Sequence, residues 1–345
     1  MILGIVLIIS ILFAKTTAPR IAVIATGGTI AGMGESGTVA GYVPAKTPVE
    51  ELLRAVPEIQ TLAEVTGEQF TQIASQNMRP DIWMRLAERV NTLLLTEDTD
   101  GVVITHGTDT MEETAYFLNL TVASAKPVIL VGAMRPPTSL SADGNLNLYN
   151  AVAVAADPAA QGQGVMVVMN DEIHAARDVT KENTTAVDAF HSPVFGPLGY
   201  VYYGDVHFYR RSARIHTTAS EFQHLIVNQL PEVAIFYGYA GFDPGILSDA
   251  VDGGVRGMVY VGTGNGNPNH ETTDRLTDLS QQGISVVRCA RPGTGRVTLG
   301  AEVDDAQFGF VVADNLNPQK SRILLMLAMS QGKSTSEIQQ LFFSY

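Results

Sequence analysis

The sequence predicts an α/β protein of two domains, an N-terminal one around a mostly parallel sheet and a smaller C-terminal α/β domain. Three observations predict it. From residue 21 onward, short apolar runs alternate with amphipathic stretches, the pattern of strand–helix–strand units. The alternation lapses in a polar stretch and restarts near Glu232. The chain has 345 residues, enough for two domains at roughly 100 to 200 residues each.

In order, residues 21–25, 102–105, 128–131 and 165–169 read as strands, because each is short, rich in β-branched residues and followed by glycine or polar residues. Thr47, Pro48, Val49 and Glu50 have the spacing of a capping box with proline at the first helical position, opening a helix to Ala55. Residues 81–94 and 111–120 carry helical periodicity. Residues 204–231 are polar, hold Arg210, Arg211 and Arg214, and lack a strong period. The expected division is therefore a domain over 20–209, a linker over 210–231 and a domain over 232–345. In the second domain, 233–237, 258–261 and 284–288 read as strands, 271–282 as a helix, and Asn317-Pro318 as the start of a helix to about Ser330. Ahead of the domains, residues 2–13 are almost wholly apolar and shorter than the roughly 20 residues that span a bilayer. They read as the core of a signal peptide over 1–18, with export to the periplasm or medium as the expectation.

Composition narrows the function. Thirty-five acidic against 22 basic residues give a net charge of −13, which repels phosphate backbones and anionic lipid, so no nucleic-acid partner is expected. A single cysteine, Cys289, builds neither an internal disulfide nor a thiolate metal site, and the seven histidines show no ligand spacing. His106 reads as structural, His174 and His191 receive no role, and neither metal nor cofactor is expected. HExxH and GxSxG are both missing from the chain.

Ligands of open α/β sheets bind beyond the carboxyl ends of the strands, and here those positions are rich in threonine. The first strand runs into Thr26-Gly27-Gly28-Thr29, the second into Thr105-His106-Gly107-Thr108-Asp109-Thr110. The first loop has no lysine and neither phosphate-binding glycine pattern, which disfavours a nucleotide. It remains either a turn that needs glycine for geometry or the seat of a hydroxyl nucleophile, which would need activation from elsewhere. Tyr42 ends a glycine-rich stretch that suits either a lid bringing a phenol to the site or an ordinary surface loop. Lys181 follows the fourth strand and could reach the same sheet edge or remain a solvated loop residue.

Taken together, residues 25–32 (ATGGTIAG) and 105–118 (THGTDTMEETAYFL) resemble the two motifs of the bacterial type II L-asparaginases and glutaminase-asparaginases. Residues 75–78, 132–135, 141–144, 177–181, 264–267, 301–305 and 316–320 extend the resemblance from about residue 20 to the C-terminus. The resemblance implies an amidohydrolase that converts L-asparagine to L-aspartate and ammonia, with glutaminase side activity, on a sheet-edge site without a metal. It implies that Thr29 is the nucleophile and Tyr42 its activating phenol, and that Thr108, Asp109 and Lys181 form a second polar triad with Lys181 as a buried cation. It further implies that Ser75, Gln76 and Asp109 hold the substrate's α-carboxylate and α-ammonium groups. Asn267 and Glu302 would come from a neighbouring subunit of a homotetramer built as a dimer of dimers. A silent amino-acid-binding protein needs no nucleophile, so retention of Thr29 with Tyr42 and Lys181 argues for the enzyme.

Overall fold

The computed structural model describes residues 18–34, 36–38, 41–223 and 229–345, and of Tyr42 the backbone alone. The expected signal peptide lies almost wholly outside the described residues. The strands are β1 (Arg20–Gly27), β2 (Met33–Gly34), β3 (Tyr42–Val43), β4 (Glu64–Ile73), β5 (Gly101–Thr105), β6 (Val128–Val131), β7 (Val165–Met169) and β8 (Glu172–Ala175). They continue as β9 (Thr180–Lys181), β10 (Phe190–His191), β11 (Gly199–Tyr202), β12 (Asp205–Phe208), β13 (Val233–Tyr237), β14 (Gly257–Gly262), β15 (Ser285–Ala290) and β16 (Phe310–Val312). The helices are α1 (Val49–Arg54), α2 (Pro80–Leu95), α3 (Met111–Thr121), α4 (Gly144–Ala156), α5 (Gly245–Asp252), α6 (His270–Gln281), α7 (Asp305–Phe308), α8 (Pro318–Ser330) and α9 (Thr335–Ser344).

Eight strands form the large sheet in the order β12-β11-β8-β7-β6-β5-β1-β4. From β4 to β7 the pairing is parallel, and β8, β11 and β12 extend the sheet antiparallel. The central strands β5, β6 and β7 are buried along their whole length, which is why they read as continuous apolar runs rather than alternating ones. The second sheet is smaller and parallel throughout, in the order β13-β14-β15-β16. This is the expected two-sheet α/β architecture.

Helix starts follow their sequence signals where a side chain reaches the first turn. Asn317 accepts from the Lys320 N–H at 3.0 Å with Pro318 following it, and α2 opens on Pro80 and Asp81 with Ile82, Trp83, Leu86, Val90 and Leu94 on its buried face. The capping box expected at Thr47–Glu50 does not form. Pro48 itself occupies the N-cap position, α1 ends at Arg54, and the Val49 N–H donates to the Gln69 side chain at 3.1 Å. A long-range amide has taken the place of the local cap.

Strand β4 escaped the pattern because it is a sheet edge: its ten residues include Glu64, Glu68 and Gln69 and none is fully buried. Helix α4 escaped it for the opposite reason. It is apolar nearly all round and sits in the core, so it shows no amphipathic period.

Among the described residues, no helix is long and apolar enough to cross a membrane.

Candidate active site

The site forms where the sheet changes direction. Chain order leads from β1 to β4 on one side and then to β5 on the other, so the loops leaving β1 and β5 diverge and open a crevice between them. Glycines let those loops meet backbone to backbone. Gly28, at φ 83°, lies so close to Gly107 that a Cβ on it would stand 2.3 Å from the Gly107 Cα and N. A Cβ on Gly107 would in turn stand 2.5 Å from the Ser75 hydroxyl. Thr29 follows in a single 3₁₀ turn, Thr29–Ala31, and is 5% exposed.

The turn after β4 is stitched to the loop after β5. The Asp109 N–H donates to Ser75 Oγ at 3.2 Å and the Thr110 hydroxyl to the Ser75 carbonyl at 2.8 Å. Ser75 and Thr108 are buried, and Gln76 beside Ser75 is exposed. Lys181, on β9, closes the constellation: its Nζ donates to Thr108 Oγ1 at 2.9 Å and to Asp109 Oδ1 at 2.8 Å. Thus Thr29, Ser75, Gln76, Thr108, Asp109 and Lys181, scattered over some 150 residues of sequence, stand at one sheet edge. The ion pair is less enclosed than a buried cation: the Lys181 side chain is 16% exposed and that of Asp109 56%.

Tyr42 pairs through its backbone with Gly34 in the β2–β3 hairpin, and its side chain lies outside the described residues. Asn267 lies in the loop after β14 and Glu302 in the loop after β15 of the smaller sheet, and the Asn267 amide donates to the Glu302 carboxylate. The Asn267 side-chain carbonyl is buried and has no hydrogen-bond partner among the described residues.

Sequence reading took His106 as structural but missed the partners through which it holds the β5 loop. His106 is fully buried and burial pushes its pKa down to about 4, so it is neutral. A neutral ring facing the Gly107 carbonyl at 2.7 Å must donate there from Nδ1, leaving Nε2 to accept from the Thr114 hydroxyl at 2.9 Å. Trp83 Nε1 donates to the same hydroxyl at 2.8 Å. One chain of hydrogen bonds therefore runs from α2 through α3 to the glycine beneath Thr108. The available signals were a lone tryptophan and a threonine inside a helix.

A second missed group joins the domains. Lys320 of α8 is buried, and its Nζ donates to the carbonyls of Arg177, at 3.0 Å, and Val179, two residues before Lys181. Burial pushes Lys320 down to about 8, against the opposing pull of Glu112 and Asp178. Glu112, in the first turn of α3, accepts from the side chains of Asn317 and Gln319, both at 2.9 Å.

Among the described residues, no cluster of three or more His, Cys, Asp or Glu side chains could hold a metal ion.

Fold and site together define a two-sheet α/β protein with its polar groups gathered at a sheet switch point. Two family models match the chain: "Asparaginase, N-terminal" over residues 20–214 and "Glutaminase/Asparaginase C-terminal domain" over residues 232–342. The chain belongs to the asparaginase family. It is 50% identical to L-asparaginase 2 of Escherichia coli (strain K12), covering 96% of this chain and 95% of that protein. It is 44% identical to a glutaminase-asparaginase of Pseudomonas fluorescens biotype A, covering 96% and 92% respectively. A crystal structure described as a probable cytoplasmic L-asparaginase from Campylobacter jejuni superposes with a TM-score of 0.91 at 45% identity, covering 95% of this chain and all of that one.

Proposed function

We propose that this protein hydrolyses L-asparagine to L-aspartate and ammonia through an acyl-enzyme on Thr29, with glutamine as a secondary substrate. The observation that carries the reading is the junction at the switch point: a buried threonine on a glycine turn that meets the Gly107 backbone, next to which stands a second threonine whose hydroxyl a lysine holds at 2.9 Å. Relatives named for asparagine alone and for both amides, at 50% and 44% identity, support the substrate class.

In this mechanism the Thr29 hydroxyl attacks the side-chain amide carbon, ammonia leaves with a proton, and water cleaves the resulting ester to release aspartate. Tyr42 and Glu302 take up and return the proton. The Thr108 N–H steadies the oxyanion, while Lys181 polarises Thr108 and offsets the charge of Asp109. Ser75, Gln76 and Asp109 bind the substrate's α-carboxylate and α-ammonium groups. The exposed Glu302 carboxylate, held by the Asn267 amide, suits an ammonium presented by a neighbouring chain, in a homotetramer built as a dimer of dimers with shared sites. Residues 20–209 and 232–345 serve as the domains, joined by 210–231, a division that the matched spans support.

Rapid quenching of the enzyme with asparagine, followed by peptide mass mapping, tests the central step. An aspartyl ester on Thr29 is expected, and ammonia release from asparagine should exceed that from glutamine. An ester on Thr108, or no ammonia from either amide, sinks the proposal. Export follows from the apolar residues 2–13 and from 49% identity to a Haemophilus influenzae protein named probable periplasmic L-asparaginase. The Campylobacter relative's description points to the cytoplasm instead. N-terminal sequencing of protein from fractionated cells distinguishes the two: a start near residue 19 in the periplasm or medium is expected, and an intact Met1 in the cytoplasm refutes export.

A further inference from the structure

We propose that Arg288 is the positioning residue for the Asn267–Glu302 pair, setting the geometry of that half of the site through one buried guanidinium. This inference rests on the reading that Asn267 and Glu302 contact substrate.

Arg288 lies on β15 and is 1% exposed. Its fork reaches two loops. Nη1 donates to the carbonyls of Asn265 at 3.2 Å and Gly266 at 3.1 Å, in the tight turn that ends on Asn267. Nη2 donates to the Thr298 carbonyl at 3.4 Å and, with Nε, grips Asp305 at 2.8 and 2.6 Å. Asp305 passes the grip on by accepting the Gly300 N–H at 2.9 Å, so residues 300 and 305 are fixed on either side of Glu302.

The turn carrying Asn267 is closed independently, by the Thr263 and Asn267 backbones at 2.8 and 3.1 Å, and Thr298 N–H reaches Asn265 Oδ1 at 2.9 Å. The turn is therefore braced within itself, and its place relative to the Glu302 loop is set by the guanidinium between them together with the Thr298–Asn265 bond. A flat donor with five N–H groups can bridge two loops in fixed register; an ammonium of the same charge cannot. Among the described residues, the exposed Glu302 side chain has no hydrogen-bond partner other than Asn267.

The test reads aspartate binding by calorimetry on full-length protein in a Thr29→Ala background, so turnover does not intrude. Glu302→Ala is the control: unchanged affinity there would remove the shared-site reading, and the inference with it. If Glu302→Ala weakens binding, Arg288→Lys is expected to weaken it too, by roughly 10- to 100-fold. Added to an Asn267→Ala/Glu302→Ala chain, Arg288→Lys should then cost nothing further. A loss that multiplies in that background would make Arg288 a general structural residue and overturn the proposal.

Should Arg288→Lys fail to fold, Arg288→Met/Asp305→Leu separates stability from position, because apolar replacement of a whole buried ion pair is often neutral or stabilising. Normal melting with aspartate affinity reduced tenfold or more is the expected outcome. Normal melting with unchanged affinity refutes the positioning role.

Discussion

At the residue scale, the two threonines of the proposed site differ in their settings. Lys181 donates to Thr108 and to Asp109, whereas Thr29 sits on the turn whose geometry two glycines impose. Thr29→Ala should lower ammonia release by about 10³-fold or more while aspartate still binds. Calorimetry beside a steady-state assay checks this, and an equal loss of both would reassign Thr29 to binding. Lys181→Met should lower turnover strongly with only a small loss of stability. Its carboxylate partner is more than half exposed, and ion pairs at such sites contribute on the order of 1 kcal/mol or less. A melting-point collapse in Lys181→Met would show that the pair is a structural clamp.

At the scale of elements, close approach and backbone conformation can be told apart by glycine substitution. Gly28 and Gly162 both have positive φ, 83° and 71°, but only Gly28 faces another backbone; a Cβ on Gly162 would meet nothing within 4 Å. Gly162→Ala should therefore cost only the left-handed conformation, about 1 to 2 kcal/mol, and keep full activity. Gly28→Ala should force the β1 and β5 loops apart and abolish activity even where the chain remains folded by circular dichroism.

Helix α3 gives a pH prediction. Burial, reinforced by neighbouring Glu112, raises Glu113 to about 7 from its ordinary 4.5, despite the opposing charges of Arg322 and Lys320. Between those values the folded chain holds a proton that the unfolded chain has lost, so this carboxyl lowers stability as pH rises from about 4.5 to 7. Glu113→Gln should raise the melting temperature at pH 8 and leave it nearly unchanged at pH 4. An equal shift at both pH values would mean that charge at Glu113 is irrelevant.

At the scale of the whole molecule, the proposal that a second chain completes the site can be tested by mixing. Asn267 lies in the loop after β14 and Glu302 in the loop after β15, fastened to each other. If they serve a neighbour, mixing a Thr29→Ala chain with a Glu302→Ala chain under subunit exchange should restore activity, because each mixed pair holds one site with both defects and one with neither. Exchange verified by native mass with no recovered ammonia release would place Glu302 in its own chain's site. The link within a chain runs through α3 and α8, where Glu112 accepts from Asn317 and Gln319 while Lys320 holds the strand leading to Lys181.

Much of this was legible before any coordinates. Strands β6, β7 and β13 match their apolar runs to the residue, and α2, α3, α6 and α8 lie within a residue or two of their periodic segments, because burial on a sheet or one helical face selects residue types at short, regular spacing. Glycines 27, 28 and 107 were recognisable as points where backbone must approach something, although not what it approaches. Only the tertiary structure decided that the loops after β1 and β5 touch, that Ser75 braces Asp109, and that a lysine 73 residues from Thr108 bonds to it. The order of strands in the sheet brings those groups together, and strand order depends on which crossovers pack. The same holds for the His106–Thr114–Trp83 chain and the Arg288 fork, whose partners lie on separate elements. Local spacing determines the period of each element, whereas a hydrogen bond between distant elements exists only once the core has placed both ends within about 3 Å.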